Sequence, residues 1–186
     1  MYMKISLLFY LVLYNNIMNK YFFLIITTII FFTTLFQKIS TSRSTDYIYP
    51  TYEENISSYF GYRNIFGKEN FHNGIDFPVP EGTPVYSTQD GFIKSCSFLN
   101  GYGMSIIVQN YDGNQVLYAH LSETFLVNVG EQVTQGEQIA TVGPKYLSNG
   151  ILNGLTTGPH LHFTVYNNQG RAINPLTLDL KKEVTQ

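Results

Sequence analysis

Residues 105–120, SIIVQNYDGNQVLYAH, contain two short apolar runs joined by a polar turn. Ser105–Gln109 and Val116–His120 are rich in β-branched and other apolar residues, which is typical of strands. Between them, Asp112 and Gly113 form a dipeptide that favours a tight hairpin turn. The stretch therefore predicts two antiparallel strands connected by a hairpin.

The same pattern extends in both directions from this hairpin. Short apolar runs separated by Gly, Asn, Asp or Pro occur at Pro84–Ser87, Phe92–Lys94, Ile139–Val142 and Leu161–Tyr166. After residue 37, no segment keeps the apolar period of about 3.6 residues that an amphipathic helix requires. We therefore expect a mostly β fold, built as one compact antiparallel domain.

Two loosely similar segments predict a further feature of this domain. Residues 81–87, EGTPVYS, and residues 130–136, GEQVTQG, both have the pattern of a strand–turn–strand corner. We expect these corners to form a small barrel-like part.

The composition excludes several classes of protein. The 186 residues are 44% hydrophobic and only 13% charged, so the chain can bury a core and is not intrinsically disordered. With 11 basic against 13 acidic residues, no cationic excess favours binding to nucleic acid. Cys96 is the sole cysteine, which excludes an intramolecular disulfide and a cysteine-clustered metal site. The oligomeric state stays open.

The first 42 residues differ in character from the rest. Lys4 and Lys20 are the only charged residues before Lys38, and apolar runs cover residues 5–14 and 21–36. A basic start followed by an apolar helix is typical of an export signal, with translation starting at Met1 or Met18. Residues 21–37 can also associate with a membrane as a retained anchor. We expect residues 1–42 to be a signal peptide or anchor with a short linker, and residues 43–186 to be the folded domain.

Two of the four histidines lie in a strand-like segment. In a strand, alternate side chains share a face, so His160 and His162 are expected on one side and Leu161 and Phe163 in the core. The same alternation predicts His120 on the face of its strand that carries Val116 and Tyr118.

The segment His72-Asn-Gly-Ile-Asp76 supplies a third histidine and a carboxylate. Gly74 and Pro78 disfavour a helix here, but a loop entering a strand can still direct both side chains at one ion. Catalytic zinc typically takes three protein ligands and leaves one position open. His72, Asp76 and one histidine of the His-Leu-His pair supply that set, and the remaining two histidines are then free for proton transfer.

Several motifs, in order, resemble those of the lysostaphin-type zinc metallopeptidases. The resemblance covers about residues 55–178 and rests on residues 58–63 (SYFGYR), 71–77 (FHNGIDF), 81–86 (EGTPVY), 90–93 (DGFI), 100–103 (NGYG), 117–122 (LYAHLS), 157–163 (TGPHLHF) and 174–176 (NPL).

The resemblance implies a compact β fold with an open groove and one Zn²⁺ ion bound by His72, Asp76 and His162. It implies that His120 and His160 are the catalytic histidines. The implied activity is hydrolysis of peptide bonds in bacterial peptidoglycan, at stem-peptide crosslinks or at cross-bridges, by an exported enzyme of the cell envelope. The alternative is a non-catalytic member that regulates another cell wall hydrolase.

The sequence departs from the family pattern at two points. Residues 144–157 are longer than the family's usual turn, and their two Asn-Gly pairs predict an exposed hairpin or a flexible flap. Thr164 stands where an acidic residue is common, so one contact to the metal ligands is uncertain.

Arg63 is expected either to contact substrate or to form a structural ion pair.

Overall fold

The structure is a computed structural model that describes residue 14 and residues 17–34, 46–65 and 67–182. Two units can be distinguished, an N-terminal helix and a β domain. The predicted linker and the predicted boundary after residue 42 lie outside the described residues.

Helix α1 (Ile17–Thr34) is long and apolar enough to cross a membrane, and a signal sequence near the N-terminus has the same character. Its threonine hydroxyls donate hydrogen bonds to carbonyls of the preceding turn, as Thr28 does to Leu24 and Thr34 does to Ile30. These bonds satisfy the polar groups within the helix, which is a requirement in an apolar environment.

The described part of the β domain contains eleven strands and one short 3-10 helix, Pro175–Leu178. The strands are β1 (Gly61–Ile65), β2 (Lys68–His72), β3 (Ile75–Phe77), β4 (Pro84–Tyr86), β5 (Gly91–Leu99), β6 (Gly103–Asn110), β7 (Gln115–Ala119), β8 (Gln132–Val133), β9 (Gln138–Thr141), β10 (Leu161–Tyr166) and β11 (Ala172–Ile173).

The strands form one large antiparallel sheet and two small ones. The large sheet has the order β11-β10-β7-β6-β5-β8, and β3 also pairs with β10. Strands β1 and β2 form a separate hairpin, and β4 pairs with β9. The predicted mostly β, antiparallel fold is therefore confirmed, and the hairpin predicted at Asp112-Gly113 is the β6–β7 connection. The small barrel-like part is not confirmed, because the two segments contribute instead to the β4–β9 pair and to β8 at the sheet edge.

The core lies on one face of the large sheet. Register places Tyr118 between Ile106 and Phe163 on the neighbouring strands, and all three side chains are fully buried. Direct cross-strand neighbours share a face, so these residues form a continuous apolar row. Since Phe163 lies in this row, the opposite face of β10 is left for His162, as the alternation in the sequence predicts.

Candidate metal centre

Strand pairing brings three of the predicted site residues together. Antiparallel pairing of β3 with β10 puts Asp76 directly opposite His162. His72 is the last residue of β2, just before the corner that leads into β3. At this corner a side chain on Gly74 would place its Cβ 2.4 Å from the carbonyl oxygen of Phe163. Glycine therefore permits the close approach of the corner to β10.

Three ligand-type atoms form a small triangle at this point. His162 Nδ1 lies 2.8 Å from Asp76 Oδ1. His72 Nε2 lies 3.1 Å from the same oxygen and 3.0 Å from His162 Nδ1. All three residues are buried, and among the described residues they form the one such group of His, Cys, Asp or Glu.

The hydrogen bonds outside this triangle orient both rings. His72 Nδ1 lies 3.0 Å from the carbonyl oxygen of Tyr59, which can only accept, so Nδ1 carries the proton and Nε2 keeps its lone pair. His162 Nε2 lies 2.8 Å from Thr164 Oγ1, so donation to Thr164 leaves a lone pair on Nδ1. Thr164 thus supplies the contact that the sequence left uncertain.

These donors fit a metal ion. Two imidazole lone pairs and a carboxylate oxygen directed at one point repel one another unless a cation or a proton lies among them. Two nitrogens and one oxygen are ligands that zinc accepts in catalytic sites. The role of His72, Asp76 and His162 as zinc ligands nevertheless remains a prediction.

The protonation states of the triangle also suit a cation. Burial raises the pKa of the Asp76 carboxyl, but contacts with His162 and His72 outweigh this effect and hold the pKa well below its usual range. Burial lowers the pKa of His162, and Asp76 only partly offsets this. A carboxylate and a neutral imidazole therefore face the centre at neutral pH, and these are the forms that coordinate metals.

Arg63 contacts the other oxygen of the carboxylate. Its Nη1 lies 3.4 Å from Asp76 Oδ2 and also donates to the hydroxyl of Ser58. The structural ion pair expected for Arg63 is present, and the guanidinium also lines the cavities described below. The position therefore agrees with both interpretations of this residue.

The other two histidines stand beside the triangle with their Nδ1 atoms held by backbone carbonyls. Nδ1 of His160 donates to Gly158 over 2.9 Å, and Nδ1 of His120 donates to Asn153 over 2.7 Å. The Nε2 atom of each ring is therefore the unprotonated one when the ring is neutral. His160 Nε2 lies 3.8 Å from Asp76 Oδ1. The centroids of the His120 and His160 rings lie 4.6 Å apart.

His120 reaches this site by breaking the alternation of its strand. Its φ of 59° lies in the left-handed region, just after the end of β7. The prediction that His120 shares a face with Val116 and Tyr118 is therefore wrong, because the turn in the backbone sends the imidazole to the opposite side and Leu121 into the core. Burial lowers the pKa of His120 to about 4, and His160 adds to this shift, so the ring is neutral at pH 7.

Two cavities of about 410 and 420 Å³ flank the site. The first contains His72, His120 and His162, and the second contains Ser57, Ser58 and Pro159. Both are bordered by Arg63, Asp76, Leu155 and His160. The triangle is thus accessible from the first cavity, and its Asp76 also borders the second.

The loop of residues 144–157 is only partly the exposed hairpin that its sequence predicts. Tyr146 and Leu152 pair across the first Asn-Gly, at Asn149, which is exposed. Asn153, of the second pair, is fully buried and supplies the carbonyl that holds His120. The second Asn-Gly is therefore an anchor and not part of a flap.

Sequence reasoning did not find the three carbonyl groups that orient the histidines. They belong to Tyr59, Asn153 and Gly158, and a backbone carbonyl carries no signature of residue type. The burial of an Asn-Gly pair within a long loop is likewise invisible in the sequence.

A buried triangle of two imidazoles and a carboxylate, with two more imidazoles beside it in an open groove, defines a candidate metallohydrolase. Residues 70–175, more than half of the chain, match the sequence profile of Peptidase family M23, so the chain belongs to that family. The resemblance to the lysostaphin-type metallopeptidases is thereby confirmed.

Individual relatives agree with this assignment. The chain is 39% identical over 142 residues to the DD-carboxypeptidase/endopeptidase Mpg of Neisseria meningitidis serogroup B, a match that spans 75% of this chain and 30% of Mpg. A zinc-containing peptidase from Vibrio cholerae has a TM-score of 0.59 and 30% identity, over 74% of this chain and 40% of that one.

The catalytic domain of lysostaphin from Staphylococcus simulans has a TM-score of 0.53 and 32% identity, over 64% of this chain and 86% of that domain. The chain spans less than a third of the length of the curated relatives it matches.

Proposed function

We propose that this chain is a zinc-dependent endopeptidase that hydrolyses peptide crosslinks in bacterial peptidoglycan. The observation that carries the proposal is the triangle of His72, Asp76 and His162 with two further imidazoles beside it, in a member of Peptidase family M23. We assign the catalytic domain to residues 43–186, with a core of about residues 55–178.

The triangle is the proposed site of one Zn²⁺ ion. His72 would bind through Nε2, His162 through Nδ1 and Asp76 through Oδ1, since these are the atoms that converge. A zinc ion bound there supplies Lewis-acid polarisation of a carbonyl and acidifies water. The carbonyl of Tyr59 and the hydroxyl of Thr164 keep the two rings oriented for this task.

The proposed catalytic residues are His120 and His160. Each ring has its Nδ1 proton fixed by a carbonyl, so each Nε2 can accept a proton from an attacking water molecule. Once protonated, the same Nε2–H can donate to the oxyanion that develops on the scissile carbonyl or return the proton to the leaving amine. Either ring can accept the proton or donate to the oxyanion, and His120 and His160 together perform both tasks.

The groove and the relatives support a crosslinked peptide as the substrate. Two cavities that both include His160 and Asp76 in their lining offer room for peptide chain next to the proposed site. Mpg is named a DD-carboxypeptidase/endopeptidase, and this name favours stem-peptide crosslinks over glycine bridges. We propose an exported protein of the cell envelope, with α1 acting as a signal sequence or as a membrane anchor.

Mass spectrometry of digests tests the proposal directly. The full chain, purified in detergent micelles with zinc, should release defined fragments from crosslinked muropeptides. His162→Ala should abolish this release, and Asn149→Ala, at an exposed position of the loop, should retain it. Stoichiometric zinc without any cleavage would contradict the proposal and favour the alternative, a non-catalytic regulator of another hydrolase.

A further inference from the structure

The side chain of Asn153 forms hydrogen bonds with three separate segments of the backbone. Its Oδ1 accepts from the N–H of Met104 over 2.8 Å, at the start of β6. Its Nδ2 donates to the carbonyls of Leu121 and Pro144, over 2.9 and 3.1 Å. The residue is fully buried, so water cannot replace these partners.

The backbone of Asn153 contacts the imidazole of His120. The carbonyl oxygen accepts from Nδ1 of that ring over 2.7 Å. The Leu121 carbonyl, which accepts a hydrogen bond from Asn153 Nδ2, belongs to the residue that directly follows His120 in the chain. Asn153 therefore holds His120 in two ways. Its side chain binds the main chain next to His120, and its backbone carbonyl binds the His120 ring.

Close packing leaves this arrangement little freedom. A Cβ on Gly143 would lie 2.1 Å from the carbonyl oxygen of Leu121, and one on Gly103 would lie 2.3 Å from Asn153 Oδ1. The backbone of His120 is held as well, because its N–H donates to Tyr102 and its carbonyl accepts from Gly143. The left-handed φ of His120 is thus enforced on both sides of the residue.

We propose that Asn153 is a positioning residue for His120. By fixing its own carbonyl against Nδ1, Asn153 keeps the proton on that nitrogen and a lone pair on Nε2. The loop of residues 144–157 would then act as a support for the catalytic centre rather than as a cover over it. The catalytic part of this inference rests on the proposed function, but the tautomer of His120 does not.

The tautomer can be measured on the unaltered protein. The full chain in detergent micelles with zinc, labelled with ¹⁵N-histidine, contains only four imidazoles, all at this site. Long-range ¹H–¹⁵N spectra should assign the proton of His120 to Nδ1, with His120→Gln identifying its signals. A proton on Nε2 would overturn the inference, whether or not the protein hydrolyses peptidoglycan.

Variants of Asn153 test the mechanism through which it acts. Asn153→Ser removes the amide donors without adding a charge, and we expect a mixture of His120 tautomers, unchanged zinc stoichiometry and an unchanged KM. The turnover number should fall by about 10²-fold, as for a misplaced catalytic group. Asn149→Ser, at the exposed Asn-Gly of the same loop, should match the unaltered protein in each measurement.

A double-variant cycle separates positioning from general damage. In a His120→Gln background, Asn153→Ser should cause no further loss of turnover, because the group it positions is already gone. An undiminished 10²-fold loss in that background, or a preserved tautomer with preserved turnover in Asn153→Ser alone, would overturn the inference. If Asn153→Ser does not fold, the position of the His120 proton in the unaltered protein remains the test of the inference. Absence of hydrolysis by the unaltered protein would instead refute the proposed function, with the tautomer still testing this inference.

Discussion

Replacement of Thr164 by valine should weaken zinc binding, although Thr164 is not a proposed ligand. The hydroxyl lies 2.8 Å from His162 Nε2, and both residues are buried. With zinc on Nδ1, the proton of His162 must stay on Nε2, and valine would leave that N–H without an acceptor. Without metal, the proton can move to Nδ1 and donate to Asp76 over 2.8 Å.

The penalty therefore falls mainly on the metal-bound form. An unsatisfied buried donor costs about 1–3 kcal/mol. Loss of an outer-shell partner typically weakens metal affinity by about 10–100-fold, which corresponds to a similar free energy. Since threonine and valine are nearly isosteric, the change in packing is small.

Competition with a chromophoric zinc chelator measures this effect on the full chain in micelles. Thr164→Val should raise the zinc dissociation constant by about 10–100-fold. The matched control is Thr88→Val, which also removes a fully buried hydroxyl, in this case one that contacts Tyr118 Oη in the core. It should lower the melting temperature without changing zinc affinity. A folded Thr164→Val protein with unchanged zinc affinity would refute the orientation assigned to His162.

Three further predictions concern the centre itself. His72→Ala and His162→Ala should each abolish zinc binding and hydrolysis, because each removes a proposed ligand; undiminished zinc by atomic emission in either variant would contradict the ligand set. His120→Ala and His160→Ala should keep most zinc affinity but lower turnover by about 10²–10⁴-fold, as expected for loss of an acid–base group. Full activity of either variant on crosslinked muropeptides would remove that residue from the mechanism. Removal of zinc by a chelator should lower the melting temperature of the β domain, and added zinc should restore it, because an ion that binds only the folded state stabilises it by mass action. A melting temperature that is the same with and without zinc would show that the ion does not bind the folded triangle.

Much of the fold is predictable because its signals are local. The hairpin at Asp112-Gly113 depends on turn residues and adjacent apolar runs, and it forms where expected. The placement of Phe163 in the core and His162 on the opposite face follows from the two-residue period of a strand. The small barrel-like part was not confirmed, since the two segments pair with other strands, β4 with β9 and β8 with β5, and such long-range pairing carries no local signal.

The site, like the fold, has features that the sequence predicts and features that it does not. The residue types and their order in the chain predict a His, Asp and His set with two spare histidines, and the structure brings all five into one groove. The face that His120 occupies was predicted wrongly, because the left-handed backbone of His120 itself reverses the alternation. No residue type in this segment indicates a left-handed conformation.

Residue types and short-range periodicity are properties of the chain, so the strands, the hairpin and the candidate ligands can be recognised in the sequence of this protein. The convergence of three lone pairs within about 3 Å, the carbonyls that orient each ring and the burial of Asn153 arise from contacts between residues up to 90 positions apart. They depend on how the strands pair and how closely the backbones approach, and those relations exist only after the chain has folded.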